Sequence, residues 1–404
     1  MGRVLICGYY GHYNLGDEAM LAGMLALLRQ WQPNIAATVY SNDPADTVRR
    51  HGVNTVSSRP PRRRLERWQR QVRPYGLLLG HRWFVLGGGD LLRDGPRAGV
   101  GAESVAEVWL RPLQQAIRLR RRTLVWGVSV GHLWRQQTRD RIRVVLNQTT
   151  LIAVRDRNSQ TALRELGIHA PIVVMPDLAL FAPRVPQADS IASAPHPPRI
   201  GVSLRSLANR MMPQGAGPAQ ITDARFTETQ FTQAMAGLLD ALVAQYGAEV
   251  HLFPLQSFPE DYRQRHRPAV DDYRSSLAVL AHCQHSMQMV LHPYFPSLAD
   301  MTQQMGCMDL ILGTRLHAAI LAARQGIPVI AAAYDPKVQA FMAEIGQGDW
   351  SLPVAEFTVD RVLPKVEAVL TDLTAAQQRI KAGVSAYQQR CQAGLVQVQQ
   401  FWQV

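Results

Sequence analysis

Cysteine is scarce in this chain of 404 residues. There are four, at positions 7, 283, 307 and 391, and no two form a CxxC pair. Zinc clusters and disulfide frameworks are thereby excluded, and a reducing compartment fits. Aromatic residues make up only 7%, and no RNA-recognition motif is present. That argues against the interleaved stacking platforms of a single-strand nucleic-acid binder. No apolar run approaches the roughly 18 residues that a membrane span needs. No signal-peptide pattern precedes the first apolar stretch, which begins by Arg3. The expectation is a cytoplasmic globular protein. Carboxylates are also in short supply: 31 Asp and Glu against 43 Lys and Arg give a formal charge of +12. Such an excess favours acidic partners, whether phosphorylated metabolites, anionic lipid surfaces or nucleic acid, and it is equally compatible with a plain basic surface.

Nucleotide loops are missing too. GYYGHYNLGDEAM, residues 8–20, follows the apolar run Val4–Cys7 and precedes a helical pattern from Leu21 to Trp31. Its glycines at 8, 11 and 16 do not fit the G-x-G-x-x-G dinucleotide spacing. Gly11 to Gly16 does give the G-x-x-x-x-G of a P-loop, but Asp17 and Glu18 stand where Lys and Ser or Thr are required. Two carboxylates there repel phosphate. The acidic pair suits the positive end of a helix dipole, with Asp17 a candidate N-cap. Alternatively Asn14 and Asp17 hold the hydroxyls of a neutral ligand. GGGD, residues 87–90, repeats the theme after a second strand, its glycines permitting close backbone approach. Gly88 and Asp90 therefore join Asn14 and Asp17 as candidates for an acceptor side.

What the chain does have is regular alternation. RVLICG, WFVLGGG, TLVWGVSVG, LIAVRDRNS and IVVMPD alternate with stretches of helical spacing. After PRVPQADSIASAPHPP, residues 183–198, the pattern restarts with RIGVSLR, EVHLFPLQ, MQMVLHPY, DLILGTRLH and IPVIAAAYD. Buried strands alternating with helices mean parallel sheets covered on both faces, an α/β class. The spacing predicts domains over 1–182 and 199–375, joined by a linker at 183–198. Ile380, Val384, Tyr387, Cys391, Leu395, Val398 and Trp402 predict a C-terminal amphipathic helix over 376–404. One more segment stands out. Arg59 to Arg73 reads RPPRRRLERWQRQVR, either a solvated loop or a polybasic patch for anionic headgroups or pyrophosphate.

The strongest candidate anion site lies in the second half. Arg315 and His317 follow the apolar strand Leu310–Gly313 and sit at the start of a helix. In doubly wound sheets, ligands bind at the carboxyl ends of strands, beside helix N-termini. Arg offers a bidentate fork, and His exchanges a proton near neutral pH. Lys337 follows the next strand, and Arg155 and Arg205 occupy comparable strand ends. Together they suit a small ligand with two anionic groups.

GYYGHYNLGDEA, GGGDLL, VRDRNS, the PD of MPDLA, GVSLR and above all GTRLHAAILAARQGIPVIAAAYDPKVQAF occur in this order over about residues 3–345. In these motifs the chain resembles the polysaccharide pyruvyl transferase family, especially its bacterial cell-wall branch that modifies S-layer-anchoring polymers. The resemblance implies two Rossmann-like domains in a glycosyltransferase B-like architecture. It implies phosphoenolpyruvate as donor, transferred as a ketal to a sugar of a cell-wall or exopolysaccharide precursor, with a lipid-diphosphate-linked glycan as acceptor. It maps donor binding and catalysis onto Arg315, His317 and Lys337, while Arg155 and Arg205 stay open as further donor contacts. No cofactor or metal is expected, no nucleic-acid partner, and a place at the inner face of the membrane would rest on Arg59–Arg73. Two other readings compete. One is a nucleotide-sugar glycosyltransferase of the same architecture, and the other a non-catalytic anion or nucleic-acid binder.

Overall fold

The computed structural model describes residues 2–58, 76–95, 104–184, 196–207, 227–266, 268 and 270–403. The arginine-rich stretch 59–73 and most of the 183–198 linker lie outside the described residues. The chain divides into two compact units. One comprises Met1–Pro183 with Gln388–Val404, the other Arg184–Tyr387.

In the first unit, β1 (Arg3–Cys7) leads into α1 (Leu15–Trp31), β2 (Ala36–Ser41), α2 (Pro44–His51) and β3 (Asn54–Ser57). Then come β4 (Trp83–Leu92), α3 (Val105–Arg118), β5 (Arg122–Val130), α4 (Gln136–Leu146), β6 (Leu151–Val154), α5 (Arg157–Glu165) and β7 (Ile172–Val174). All pairings are parallel, in the order β3-β2-β1-β4-β5-β6-β7. The order reverses between β1 and β4, and that is where a doubly wound sheet opens a crevice. The central strands β1, β4, β5 and β6 are buried along nearly their whole length, as covered parallel strands require, with Leu5, Phe84, Val125 and Ile152 forming a layer of the core.

The second unit repeats the plan. It contains β8 (Arg199–Ser203), α6 (Glu228–Tyr246), β9 (Glu249–Leu252), α7 (Glu260–His266), α8 (Asp272–Leu280), β10 (Met289–Leu291) and α9 (Leu298–Met305). These are followed by β11 (Leu310–Gly313), α10 (Leu316–Gln325), β12 (Val329–Ala333), α11 (Pro336–Glu344), β13 (Ser351–Pro353) and α12 (Val359–Thr371). The sheet runs β10-β9-β8-β11-β12-β13, again all parallel, and its switch point lies between β8 and β11. The α/β class is as the alternation implied, and the two Rossmann-like units are as the family resemblance implied.

The tail is not one helix. It breaks at Cys391 into α13 (Leu373–Arg390) and α14 (Gln392–Phe401). α14 packs on the first unit, where Gly394 meets the Val174 carbonyl so closely that a Cβ would lie 2.0 Å from the oxygen. The side chain of Trp402 enters a tryptophan cluster, its ring 5.7 Å from Trp83 and 5.9 Å from Trp126, while Trp31 stacks on Trp126 at 6.0 Å. Gln32 Nε2 donates to the Trp402 carbonyl at 3.2 Å. No helix among the described residues is long and apolar enough to cross a membrane.

Candidate active site

At the switch point of the second sheet, the residue pairs Ile200–Leu310 and Ser203–Gly313 set β8 beside β11. Gly313 is needed there, because a Cβ would lie 2.5 Å from the Ser203 carbonyl oxygen. The register brings the segments that leave both strands to one edge. Arg205 comes from β8, and Thr314, Arg315 and His317 come from β11. The Arg315 guanidinium is buried. Its Nη2 donates to Asp272 Oδ1 and, at 3.4 Å, to Gln256 Oε1. Asp272 has no exposed surface at all, and its other oxygen accepts from the Gln256 amide at 2.8 Å. Arg315 Nε is buried without a hydrogen-bond partner among the described residues, as is Thr314 Oγ1.

Arg205 Nη1 donates to Tyr334 Oη at 3.3 Å, and the guanidinium lies 5.8 Å from that ring's centre. Burial pulls the Arg315 guanidinium below its usual range; Asp272 opposes the shift and Arg205 reinforces it. Burial acts the same way on Arg205, but Tyr334, Asp272 and Asp335 together outweigh it and raise the group. Both stay charged, since no shift of this kind deprotonates arginine. The two guanidiniums thus feel each other and share Asp272 and Tyr334. Lys337 joins through Asp335, its Nζ 3.1 Å from Asp335 Oδ2. Asp335 also caps α11, accepting from the Lys337 amide at 3.2 Å. His317 stands half-buried in the first turn of α10, next to Arg315 and at the positive end of that helix. Arg205, Arg315, His317 and Lys337 therefore belong to one unit and one sheet edge. Of their supports, Tyr334 lay inside a motif already noticed. Gln256 closes the EVHLFPLQ run, but Asp272 lay in no such motif, since nothing local marks a buried partner 43 residues away from its arginine.

Arg155 is placed differently. It belongs to the first unit, at the end of β6, fully buried. Its Nη1 donates to Asp177 Oδ2 at 3.1 Å and its Nη2 to Ser129 Oγ at 2.7 Å. Such a group stabilises the core of its own unit. Replacing Arg155 by Ala takes the guanidinium away from the buried Asp177 carboxylate and should cost about 3–5 kcal/mol in folding stability. Chemical denaturation measures it; an unchanged midpoint would show that the contact with Asp177 does not hold the unit together.

The opening loop also reads differently in three dimensions. Asn14, not Asp17, caps α1: its Oδ1 accepts from the Gly16 amide at 3.1 Å, and its Nδ2 donates to Asp17 Oδ2 at 2.6 Å. Glu18 turns inward. One oxygen accepts from the Gly11 amide at 2.9 Å and the other lies 2.7 Å from His51 Nε2. The amide a phosphate cradle would present is already bonded to a carboxylate. GGGD does not follow a strand but lies within β4, where the register shifts after Gly89. Gly88 (φ 75°) and Gly89 (φ 101°) adopt conformations that an L side chain resists, so the strand bulges without breaking. The space goes to Tyr10, whose Oη donates to the Gly87 carbonyl at 2.8 Å and would lie 2.8 Å from a Cβ on Gly88. Burial raises the Tyr10 phenol well above its ordinary range, with Asp17 and Glu18 adding to it. Asp17 Oδ1 would be 3.0 Å from a Cβ on Gly89, and Asp90 lies 3.6 Å from Arg93 Nε. Asn14, Asp17 and Gly88 hence gather at the first sheet's own switch point, between β1 and β4, whereas Asp90 lies beside Arg93 and Gly131, after the end of β5.

A family model described as polysaccharide pyruvyl transferase matches residues 14–336, well over half of the chain, including β8 and β11 of the second switch point. The chain belongs to the polysaccharide pyruvyl transferase family. It is accordingly a transferase that acts in polysaccharide pyruvylation. No curated protein sequence matches it closely enough to serve as a relative. Among solved structures, the UDP-GlcNAc 2-epimerase of Neisseria meningitidis bound to UDP-GlcNAc is similar at 8% identity and a TM-score of 0.57, covering 99% of each chain. The UDP-GlcNAc 2-epimerase of Methanocaldococcus jannaschii reaches 0.57 at 10% identity, over 91% of this chain and 92% of its own. Sucrose-phosphate synthase from Thermosynechococcus elongatus reaches 0.54 at 13%, covering all of both chains. At such identities the likeness concerns the fold alone, the glycosyltransferase B-like pairing of Rossmann-like units.

Proposed function

We propose that this pyruvyl transferase takes phosphoenolpyruvate as donor and builds a pyruvate ketal on a sugar of a cell-wall or exopolysaccharide precursor carried on a lipid diphosphate. The observation that carries the reading is the paired guanidiniums of Arg205 and Arg315 at the switch point of the second sheet. Two cations with a nearby Lys337 suit a small molecule bearing a carboxylate and a phosphate. Arg315 and Lys337 hold the two anionic groups, and the same cations stabilise the phosphate as it departs.

The chemistry balances without an outside reactant. A proton goes to the donor's methylene carbon, which becomes the methyl group, and the adjacent carbon becomes cationic. One sugar hydroxyl adds to that carbon, the carbon–oxygen bond to phosphate breaks, and a second hydroxyl closes the ketal. Of the two hydroxyl protons released, one replaces the proton spent on the methylene and the other leaves with phosphate. His317 is the group assigned to that traffic. Its replacement by Ala should lower kcat by about 10²–10⁴-fold while donor KM changes little. Single-turnover kinetics would test it, and an unchanged kcat would remove His317 from proton transfer. On the acceptor side, Asn14, Asp17, Gly88 and Asp90 are the residues offered to sugar hydroxyls.

The deciding assay for the donor is phosphate release on mixing phosphoenolpyruvate with a panel of lipid-diphosphate disaccharides. Competition should come from phosphoenolpyruvate analogues and not from sugar nucleotides. Displacement of the donor by UDP-sugars would favour a glycosyltransferase instead.

A further inference from the structure

We propose that Asp272 and Gln256 form a seat for a guanidinium, and that Asp272 is the positioning residue which aims Arg315 at the donor; this rests on the donor reading above. Arg315 does not meet its partners symmetrically. Both contacts are made by a single terminal nitrogen, Nη2, to Asp272 Oδ1 and Gln256 Oε1. Nε is left without a hydrogen-bond partner among the described residues although it is buried. A guanidinium whose donors are so divided has a fixed direction. It is held through Nη2 and has Nε left to offer to an anion.

The seat is itself rigid. Asp272 Oδ2 accepts from the Gln256 amide at 2.8 Å, and the Asp272 amide donates to the Gln256 carbonyl at 2.8 Å. This reciprocal pair joins the loop after β9 to the first residue of α8. Asp272 is wholly inaccessible and Arg315 nearly so. An aspartate with both oxygens committed and no solvent contact cannot follow a wandering arginine, so the arginine must conform to it. Arg205, by contrast, is held by a neutral phenol. The seat therefore gives the two arginines different tasks: Arg315 is the fixed one and sets the register of the donor.

A double-mutant cycle on the full-length chain tests this with Asp272→Asn and Arg315→Lys. In the parent, Asp272→Asn should raise donor KM about tenfold or more and leave acceptor KM unchanged. In the Arg315→Lys background, which has no fork to orient, the same change should add less than about twofold. Equal effects in both backgrounds would overturn the proposal. A second measurement stays informative if the donor reading itself fails or if a variant folds poorly. Millimolar guanidinium chloride should raise the thermal midpoint of Arg315→Ala but not that of Arg315→Ala/Asp272→Asn, with sodium chloride as control. An equal response of both proteins would show that no seat exists. A parent enzyme that fails to turn over phosphoenolpyruvate, alongside a selective guanidinium response, would sink the donor and leave the seat standing.

Discussion

Arg315→Ala should lose turnover by about 10²–10³-fold, the usual consequence of deleting one preorganised donor to a developing anion. It should also unfold the second unit more easily by about 3–5 kcal/mol. The second effect comes from Asp272. That carboxylate is wholly buried, and its charge is opposed there by Arg315. Removing the guanidinium leaves a buried charge without the ionic partner it is hydrogen-bonded to. From the sequence alone, Arg315 is a strand-end cation whose loss should affect activity only; its burial beside Asp272 changes that expectation. Two measurements separate the parts. Steady-state kinetics at low temperature, where the variant stays folded, read the catalytic loss. Urea denaturation reads the structural one. Full activity at saturating donor would remove Arg315 from the site, and an unshifted midpoint would show that Asp272 finds compensation elsewhere.

Trp402→Ala should destabilise the first unit by about 3–5 kcal/mol, within the range for deleting a large buried aromatic. The ring is almost fully buried and meets Trp83 and Trp126 at centroid distances of 5.7 and 5.9 Å. Trp126 itself has no exposed surface, so the void would open into the middle of the sheet's packing and not onto its rim. A loss of this size is a large share of the roughly 5–15 kcal/mol that holds a typical domain together. Calorimetry should show the transition of the first unit moving down while that of the second stays. A thermogram identical to the parent's would mean that the last turn of the chain is ornamental. The same change should leave the donor KM unaltered, which distinguishes it from Arg315→Ala.

How much of this was legible in the sequence depends on the range of the interaction. Apolar runs such as Leu310–Gly313, with a helical pattern after them, located strands whose pairing the structure then sets in order. Arg315, His317 and Lys337 were readable as strand-end chemistry, because strand ends are local features. Partnerships were not. Asp272 lies 43 residues before Arg315, and Asp177 lies 22 residues after Arg155. A spacing argument has no access to such distances. The acidic pair at 17 and 18 illustrates a subtler limit. Its sign told against phosphate, but only the fold reveals that Glu18 turns to Gly11 and His51 while Asp17 turns to Asn14. GGGD misled for a related reason. Three glycines in a row normally signal a turn, and here the hydrogen bonds to β5 keep the chain extended through a bulge.

The tryptophan at residue 402 has a consequence for the order of synthesis. All seven strands of the first unit's sheet precede residue 183, yet the segment that completes its core follows the whole second unit. At typical rates of synthesis, the interval is on the order of ten seconds or more. During that time β6 and β7 await α14, and the pocket for Trp402 stays open on the nascent chain. The first unit is therefore finished only when the second has been translated, so that a truncated product carrying an intact second unit would still present an incomplete first unit.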